Sequence, residues 1–303
     1  MTLNPALDYN VITESFQEKR VNRSKTEYFV AGGKGLMESQ MLHNLGVESI
    51  ALGLVAGFTG EQLTKMLEAA GIRTEFVVLP EGMTRINVKL WGGIEGEINA
   101  AGPGCDENSR KVLCARLSEL GQKDILCLAG TIPAGMPKNL YAQMMEKCAG
   151  KGCRVVVDAT GETLKETIVL HPFLVKPNHH ELGELYQKEL TTKEEVAVYA
   201  KKLCEDGVRN CLVSMGGDGA VLVAEDGVVY FGEAPEGIVK NTVGSGDSMV
   251  AGFLAAYEKT HSYETAFRMG IASGSASAFS DRLGTSEEVQ ELLSKVRITK
   301  AQR

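Results

Sequence analysis

The chain has 303 residues, of which 44% are hydrophobic and 23% are charged, and its net charge is −7. This composition is ordinary for a globular enzyme, and the acidic balance argues against general binding to nucleic acid or to an anionic membrane. No apolar run approaches the roughly 18 residues that a membrane-spanning helix needs. We therefore expect a cytoplasmic protein whose partners include neither nucleic acid nor a membrane.

The N-terminal segment and the cysteines agree with this expectation. The first ten residues, MTLNPALDYN, lack both the basic and the apolar region of a signal peptide. The seven cysteines are scattered, and none of them forms a C-x-x-C pair. We expect reduced thiols, as in other cytosolic proteins, rather than a disulfide framework.

Two kinds of segment alternate along the chain. Short apolar runs predict buried strands, and amphipathic segments between them predict helices. This alternation is typical of a mainly parallel sheet covered by helices, and it predicts a single α/β domain over residues 1–303. The predicted strands are ILCLAG (125–130), RVVVDA (154–159), FLVKP (173–177) and NCLVSMG (210–216), and three predicted helices are TGEQLTKMLEAAG (59–71), TKEEVAVYAKKLCEDG (192–207) and EEVQELLSKV (287–296).

The first two of these helices begin with the spacing of a capping box. In that motif, a hydroxyl and a carboxylate or amide three residues later each accept a backbone N–H. Thr59 with Gln62 and Thr192 with Glu195 fit the pattern. We expect each helix to start at its threonine.

Two segments depart from the alternation of strands and helices. Residues 9–31 and 84–99 alternate polar and apolar side chains, which predicts strands with one exposed face. We expect them to form a small antiparallel sheet outside the main sheet, placed as a lid. Ordinary edge strands of the main sheet are the alternative.

The stretch NTVGSGDSMVAGF (241–253) places glycines before a helical pattern. Gly244 and Gly246 permit a tight turn, and the helix that follows presents N–H groups and partial positive charge to an anion. Asp247 then lies in the first helical turn. Either this carboxylate compensates the helix charge, or it acts as a general base beside a phosphoryl group.

Three further motifs bear on the chemistry. VAGGKGL (30–36) carries Lys34 in a second glycine cluster, and SMGGDGAVL (214–222) fits either a turn between strands or a nucleotide contact. In KPNHHELGELY (176–186), Asn178 and Glu181 are three residues apart at a helix start, and their oxygens suit a water-shelled Mg²⁺. The two histidines between them lack a further ligand at zinc spacing.

Two familiar nucleotide motifs are absent from the sequence. There is no G-x-x-x-x-G-K-[ST] loop, and no strand is followed by G-x-G-x-x-G with an acidic residue about 20 positions later. These absences argue against a P-loop enzyme and against a dinucleotide-dependent dehydrogenase.

Taken together, the motifs resemble the ribokinase family of sugar kinases, also called the PfkB family, and within it the bacterial 1-phosphofructokinase branch. The likeness covers nearly the whole chain in order, and NTVGSGD is its most specific part. It rests on TLNPALD (2–8), GGKG (32–35), TRINVKL (84–90), LAGTIPAG (128–135), VVVDATGETL (155–164), FLVKPNHHELGELY (173–186), VSMGGDGAVL (213–222) and NTVGSGDSMVAGF (241–253).

The resemblance implies a ribokinase-like three-layer α/β/α sandwich with a mainly parallel central sheet and a small β-sheet lid. It implies transfer of the ATP γ-phosphoryl group to the C6 hydroxyl of fructose 1-phosphate, with Mg²⁺ as cofactor. It also implies a homodimer that forms through the lid.

The resemblance further implies roles for individual residues. Asp247 matches the general base, and the N–H groups of Gly244, Ser245 and Gly246 match its anion hole. The other matches are Asp8, Gly33, Lys34 and Arg85 at the sugar phosphate, Ser214, Gly216, Gly219, Thr242 and Ser273 at the nucleotide, and Asn178 and Glu181 at Mg²⁺.

Two departures from the family pattern leave alternatives open. Met37 stands where the family usually has an asparagine beside the sugar, and few residues precede TLNP, which predicts a shortened first strand. The alternative substrates are tagatose 6-phosphate and fructose 6-phosphate. The alternative of another class is a non-catalytic sugar-phosphate sensor.

Overall fold

The computed structural model describes residues 1–92 and 96–301. Its strands are β1 (Ala6–Thr13), β2 (Ser24–Gly32), β3 (Ile50–Val55), β4 (Arg73–Val78), β5 (Arg85–Trp91), β6 (Gly96–Ile98), β7 (Ile125–Ala129), β8 (Arg154–Asp158), β9 (Leu174–Val175), β10 (Cys211–Ser214), β11 (Ala220–Val223), β12 (Val229–Glu233) and β13 (Arg297–Lys300). Its α-helices are α1 (Lys34–Asn44), α2 (Gly57–Ala69), α3 (Glu107–Arg116), α4 (Leu140–Cys148), α5 (Gly161–Ile168), α6 (His179–Tyr186), α7 (Lys193–Glu205), α8 (Ser245–Thr260), α9 (Tyr263–Phe279) and α10 (Ser286–Leu293).

The central sheet has the strand order β13-β12-β11-β10-β9-β8-β7. Neighbouring strands from β7 to β10 are parallel, whereas β10 to β13 pair in antiparallel fashion. The four apolar runs predicted as strands fall on β7, β8, β9 and β10, so those predictions are confirmed. Parallel strands place their carboxyl ends at one edge of the sheet, where the site described below lies.

Strand β8 shows how the sheet divides the core into two layers. Val155 and Val157 pack on one face with residues of α3 to α7. Val156 points to the other face and packs with residues of α1, α8, α9 and α10. Because side chains alternate along a strand, one short apolar run contributes to both layers. The predicted three-layer α/β/α sandwich is confirmed.

The first two residues link this sheet to the parallel pair β3 and β4. Thr2 bridges Gly53 in parallel register, and the Thr2 N–H donates to Leu52 O at 2.8 Å. On the other side, the Ala129 N–H donates to Met1 O at 3.1 Å. Residues 1–2 therefore occupy the position of the short first strand that the sequence predicts.

The predicted lid is a separate four-stranded sheet with the order β2-β1-β5-β6. The pairs β1–β2 and β5–β6 are antiparallel, but β1 and β5 are parallel, so the prediction of a wholly antiparallel sheet is wrong at one pairing. Between β1 and β5 the chain passes through β2, α1, β3, α2 and β4, and such a crossover permits parallel pairing. Within the predicted segment 84–99, residues 93–95 lie outside the described residues.

One predicted capping box is confirmed and the other is wrong. Thr192 and Glu195 form the reciprocal box at the start of α7. Helix α2 instead starts at Gly57 with Ala56 as its N-cap. The Thr59 hydroxyl lies inside that helix and donates to Thr84 O at 2.7 Å, a tertiary bond that local spacing cannot reveal.

Two global features complete the description. Among the residues that the structure describes, no helix has both the length and the apolar character needed to cross a membrane. All seven cysteines are free thiols.

Candidate active site

The start of α8 has the predicted turn. Gly244 caps the helix with a φ of 80°, a left-handed conformation that glycine adopts without strain. A Cβ atom there would lie 2.7 Å from Leu283 Cδ2 and 3.0 Å from Met37 Sδ, so space also requires glycine. Asp247 lies in the first turn and is buried. The structure thus places the predicted base at the helix N-terminus.

One N–H group of the predicted anion hole already donates a hydrogen bond within the turn. The Ser245 N–H donates to Thr242 O at 3.2 Å, so an anion would compete with that carbonyl. The Ser245 hydroxyl is buried and has no hydrogen-bond partner among the described residues. A buried donor in this state suits an incoming oxyanion, because the bond satisfies it.

A buried carboxylate and two lysines lie beside this helix start. Lys34 Nζ is 2.9 Å and Lys176 Nζ is 3.8 Å from Asp158 Oδ1. A Cβ atom at Gly246 would lie 3.0 Å from Lys176 Nζ, so this ammonium adjoins the first turn of α8. Asp158 ends β8 and Lys176 follows β9, at the sheet edge where α/β proteins bind ligands.

The two aspartates of this cluster have opposite pKa shifts. Burial alone would raise the pKa of Asp158, but Lys176 and Lys34 hold it below the ordinary value. Burial, followed by the charges of Asp158 and Glu38, raises the pKa of Asp247 well above its usual range. Neighbouring carboxyls that titrate apart are typical of sites with distinct acid and base roles.

Lys34 joins the cluster to a third acidic group. Burial lowers its pKa, but Asp158, Asp247 and Glu181 outweigh burial and raise the pKa above the ordinary lysine value. Lys34 is the first residue of α1, after the Gly33 N-cap with a φ of 124°. The GGKG motif therefore places the Lys34 ammonium near carboxylates of three separate elements, β8, α8 and α6.

Asn178 and Glu181 form a capping box at the start of α6. Asn178 Oδ1 accepts the Glu181 N–H, and Glu181 Oε2 accepts the Asn178 N–H, each at 2.8 Å. Mg²⁺ commonly uses one or two carboxylates and completes its shell with water and phosphate oxygens. The described residues contain no group of three or more metal-ligating acidic, histidine or cysteine side chains. Asn178 and Glu181 fit a Mg²⁺ held in that indirect way.

The predicted nucleotide residues divide into two groups. Ser214 lies beside the capping box, since it bridges Asn178 and its N–H donates to Pro177 O at 3.2 Å. Gly216 and Gly219 form the turn between β10 and β11, and a Cβ atom at Gly219 would lie 2.1 Å from Gly232 O. The turn is thus confirmed, and nucleotide contact stays a prediction.

Thr242 and Ser273 differ in exposure. Thr242 is exposed in the loop before α8. Ser273 is fully buried between α8 and α9, where a Cβ atom at Gly252 would lie 2.3 Å from Ser273 Oγ. The structure does not bring Ser273 to an open surface, because the Ser273 side chain packs against Gly252 of α8.

Asp8 lines a cleft of about 340 Å³ between the lid and α1. Asn87 Nδ2 donates to Asp8 Oδ1 at 2.8 Å, and Lys89 Nζ is 3.6 Å from Asp8 Oδ2. Burial raises the pKa of Asp8, with Lys89 opposing the shift. Asp8 is therefore firmly held, although Thr2 makes only an isolated bridge with Gly53 before β1.

Met37 borders the same cleft, whereas Arg85 is not one of the residues that line it. Met37 lines the cleft, is nearly buried, and reaches Gly244 at the start of α8. Arg85 donates from Nε to Asn4 O at 3.2 Å and from a terminal nitrogen to Ala100 O at 3.3 Å. Burial lowers the pKa of Arg85, and Asp8 partly restores it. Met37 thus lies between the cleft and the helix that carries Asp247.

Sequence reasoning missed four polar residues of this site. Asp158 and Lys176 lie at the ends of buried strands. This position could have identified them as site residues, because α/β proteins bind ligands at that edge of the sheet. Asn87 and Lys89 point to the same face of β5 as alternate residues of a strand that the sequence did predict. Their polar side chains are buried, and buried polar groups require partners.

Known proteins resemble the chain over its whole length. The sequence profile of pfkB family carbohydrate kinases matches residues 1–290. The 1-phosphofructokinase of Bacillus subtilis is 45% identical over 99% of this chain and 98% of its own. The D-tagatose-1-phosphate kinase of Bacillus licheniformis is 32% identical over 98% of each chain. The structure of phosphofructokinase-2 from Escherichia coli in complex with fructose-6-phosphate superposes with a TM-score of 0.90, at 27% identity over 97% of this chain and 96% of that one.

Proposed function

The chain belongs to the pfkB family of carbohydrate kinases, and on this premise we propose that it phosphorylates fructose 1-phosphate at the C6 hydroxyl. Its reaction class is transfer of a phosphoryl group from ATP to a sugar phosphate. The proposed products are fructose 1,6-bisphosphate and ADP. The observation that carries the proposal is the position of Asp247, buried in the first turn of α8 beside the lysines that contact Asp158.

In this proposal Asp247 is the general base. Lys176 and Lys34 favour its ionised form, against burial and the neighbouring carboxylates. The ionised carboxylate accepts the C6 hydroxyl proton while the hydroxyl oxygen bonds to the γ-phosphorus. The bond from that phosphorus to the β–γ bridging oxygen breaks, and ADP leaves. General base catalysis of this kind typically contributes about 10²–10⁴ in rate.

Charge neutralisation accounts for the rest of the proposed catalysis. Phosphoryl transfer relies mainly on positioning and on stabilising charge at the phosphoryl oxygens. The N–H groups at the start of α8, the Ser245 hydroxyl and the Lys34 ammonium supply donors for these oxygens. Mg²⁺, when held through water near Asn178 and Glu181, would supply further positive charge to the phosphates.

The choice of sugar rests on the relatives and on the lid. The named substrates of two relatives, fructose 1-phosphate and D-tagatose 1-phosphate, both carry a C1 phosphate and a free C6 hydroxyl and differ only at C4. Asp8 and Asn87 offer hydrogen-bonding groups for sugar hydroxyls, and Lys89 offers a cation for the phosphate. Tagatose 1-phosphate is therefore the second candidate. Fructose 6-phosphate, which is bound in the E. coli structure, is the third.

A substrate panel tests this proposal. ADP release with Mg-ATP is compared for fructose 1-phosphate, tagatose 1-phosphate, fructose 6-phosphate and tagatose 6-phosphate, and phosphorus NMR locates the new ester. We expect the highest kcat/KM on fructose 1-phosphate with the ester at C6. A higher value on another sugar would reassign the substrate. Sugar-phosphate binding without ADP release on any sugar would support the sensor instead.

We also propose that the lid mediates a homodimer. The side chain of Ile98 is 64% exposed and that of Phe29 is 45% exposed on this small sheet. Strand β2 is an edge strand, and unpaired edges with apolar side chains favour association. Light scattering should give twice the monomer mass, and Phe29→Glu should halve it. A parent chain that is monomeric at micromolar concentration would contradict the dimer.

A further inference from the structure

Lys89 is a buried cation on the cleft face of the lid. It lies on β5, lines the cleft together with Asp8, and is 7% exposed. Its Nζ atom is 3.6 Å from Asp8 Oδ2 and 3.4 Å from Glu97 Oε1. Both distances exceed the roughly 2.7–2.9 Å of a charge-assisted hydrogen bond between an ammonium and a carboxylate. The ammonium therefore has only loose partners and is available to an anion that approaches more closely.

The two acids that contact Lys89 differ in how firmly they are held. Asp8 is buried and accepts a hydrogen bond from Asn87 Nδ2 at 2.8 Å. The side chain of Glu97 is 45% exposed, and Lys89 is its one ion-pair partner among the described residues. Exposed ion pairs are weak, because water solvates the separated charges nearly as well. Glu97 is therefore the partner that can leave Lys89.

Glu97 and Lys89 share one face of the lid. They are direct partners in the antiparallel pairing of β5 with β6, so their side chains lie on the same side of the sheet. Asn10, the partner of Lys89 on β1, also lines the cleft. With Glu97 in place, a phosphate dianion at Lys89 would meet the charges of two carboxylates, and like charges repel. An anion that binds Lys89 must therefore displace the more weakly held one.

Lys89 is better placed for a phosphate than the arginine that the resemblance assigned to this role. Arg85 does not line the cleft, and it donates to two backbone carbonyls. Arg282 does line the cleft, but it is exposed, so water screens its charge. The same cleft is lined by Met37, which reaches Gly244 at the start of α8. A sugar lying between Lys89 and Met37 would hold its phosphate at the lid and a distant hydroxyl near that helix.

We propose that Lys89 and Glu97 form an exchange pair that selects sugars carrying a phosphate group. Before the sugar binds, Glu97 holds Lys89, and the phosphate of the incoming sugar takes its place on the ammonium. A sugar without a phosphate offers no charge to replace Glu97, so it gains nothing from Lys89. The inference rests on the proposed function, since it takes a sugar phosphate as the ligand. Glu97 acts only through Lys89 and touches no reacting atom.

Trp91 provides a binding signal that needs no turnover. It is the one tryptophan of the chain, it lies two residues after Lys89, and it lines the same cleft. Its fluorescence gives dissociation constants for fructose 1-phosphate and for fructose without ATP. We expect Glu97→Gln to tighten the binding of fructose 1-phosphate by about twofold to fivefold, the scale of an exposed ion pair, and to leave that of fructose unchanged. Lys89→Met should weaken the binding of fructose 1-phosphate at least about tenfold, because a charge-assisted hydrogen bond is lost.

The double variant shows whether Glu97 acts through Lys89. In the Lys89→Met background, Glu97→Gln should no longer tighten the binding of fructose 1-phosphate. Glu27→Gln is the control, since it removes the same charge from an exposed residue that pairs with Val11 and so points to the other face of the lid. It should leave both dissociation constants unchanged.

Two results would overturn the proposal. One is a Glu97→Gln variant that binds fructose 1-phosphate no more tightly than the parent, and this variant keeps the lysine, so the result counts even where Lys89→Met fails to fold. The other is an equal gain from Glu97→Gln with and without Lys89. If the expected changes in binding occur but the parent releases no ADP from ATP, the proposed function fails and the exchange pair stands.

Discussion

Lys34 Nζ lies 2.9 Å from Asp158 Oδ1, although the two residues are 124 positions apart in the chain. This contact ties the glycine-rich start of α1 to the carboxyl end of β8. Lys176 completes the arrangement from the neighbouring strand end. Asp247 of α8 is held beside these charges, so the proposed general base and its electrostatic support come from four elements.

Asp158 should be essential for the stability of this arrangement. Asp158→Asn leaves two ammonium groups without their carboxylate, and breaking a buried pair in this way costs about 3–5 kcal/mol. We expect urea unfolding to show that the free energy of unfolding falls by about 3 kcal/mol. This value is the lower end of the range, because Lys34 is partly exposed. The exposed Asp226→Asn, which can still accept the Val228 N–H, should change stability by less than about 0.5 kcal/mol. Equal losses in the two variants would contradict the assignment.

Met37 should limit the affinity for the sugar. Met37→Asn puts a hydrogen-bonding amide into the cleft beside Gly244. We expect the KM for fructose 1-phosphate to fall about twofold to tenfold, the worth of one neutral hydrogen bond. kcat should stay the same, because the bond forms equally in the ground and transition states. Met37→Leu is the control of similar volume, and a KM that rises in both variants would show that Met37 acts by packing alone.

Gly32 should be needed for the position of Asp8. A Cβ atom at Gly32 would lie 2.5 Å from Asp8 Oδ2, so Gly32→Ala must displace that carboxylate from Asn87. In the proposed complex Asp8 also binds a sugar hydroxyl, and losing a hydrogen bond to a charged group costs about 1.5–3 kcal/mol, so the KM for the sugar should rise at least about tenfold. The KM for ATP should not change. Gly121→Ala is the control, since its Cβ would come no closer than 3.9 Å to Asp124.

Asp247 should reduce stability as the pH rises. Its pKa in the folded protein is raised above the unfolded value of 3.8, so the folded state binds the extra proton and loses stability as pH climbs from that value towards the folded pKa. Asp247→Asn removes this loss. The melting temperature of the variant should exceed that of the parent by a margin that grows as the pH rises above about 4. A margin that shrinks over this range would mean that Asp247 is ionised and well paired in the folded state.

Local features of the site could be predicted from sequence, and contacts between distant segments could not. Gly244 and Asp247 follow from one stretch of seven residues, and the Thr192–Glu195 box depends only on helix geometry. Asp158 and Lys176 need the sheet order before they can be assigned to the site. The Thr59 box failed because a hydroxyl predicted as a cap bonds Thr84 across the fold.

The central claim is that Asp247 removes the proton of the sugar hydroxyl, and single-turnover kinetics of Asp247→Asn test it most directly. Asparagine keeps the size of the side chain and cannot accept a full proton. With the enzyme in excess over a limiting amount of ATP and with fructose 1-phosphate saturating, we predict that the rate of phosphoryl transfer falls about 10²–10⁴-fold while the affinity for ATP is retained. A rate within about tenfold of the parent would contradict the account and leave Asp247 as a helix-capping charge.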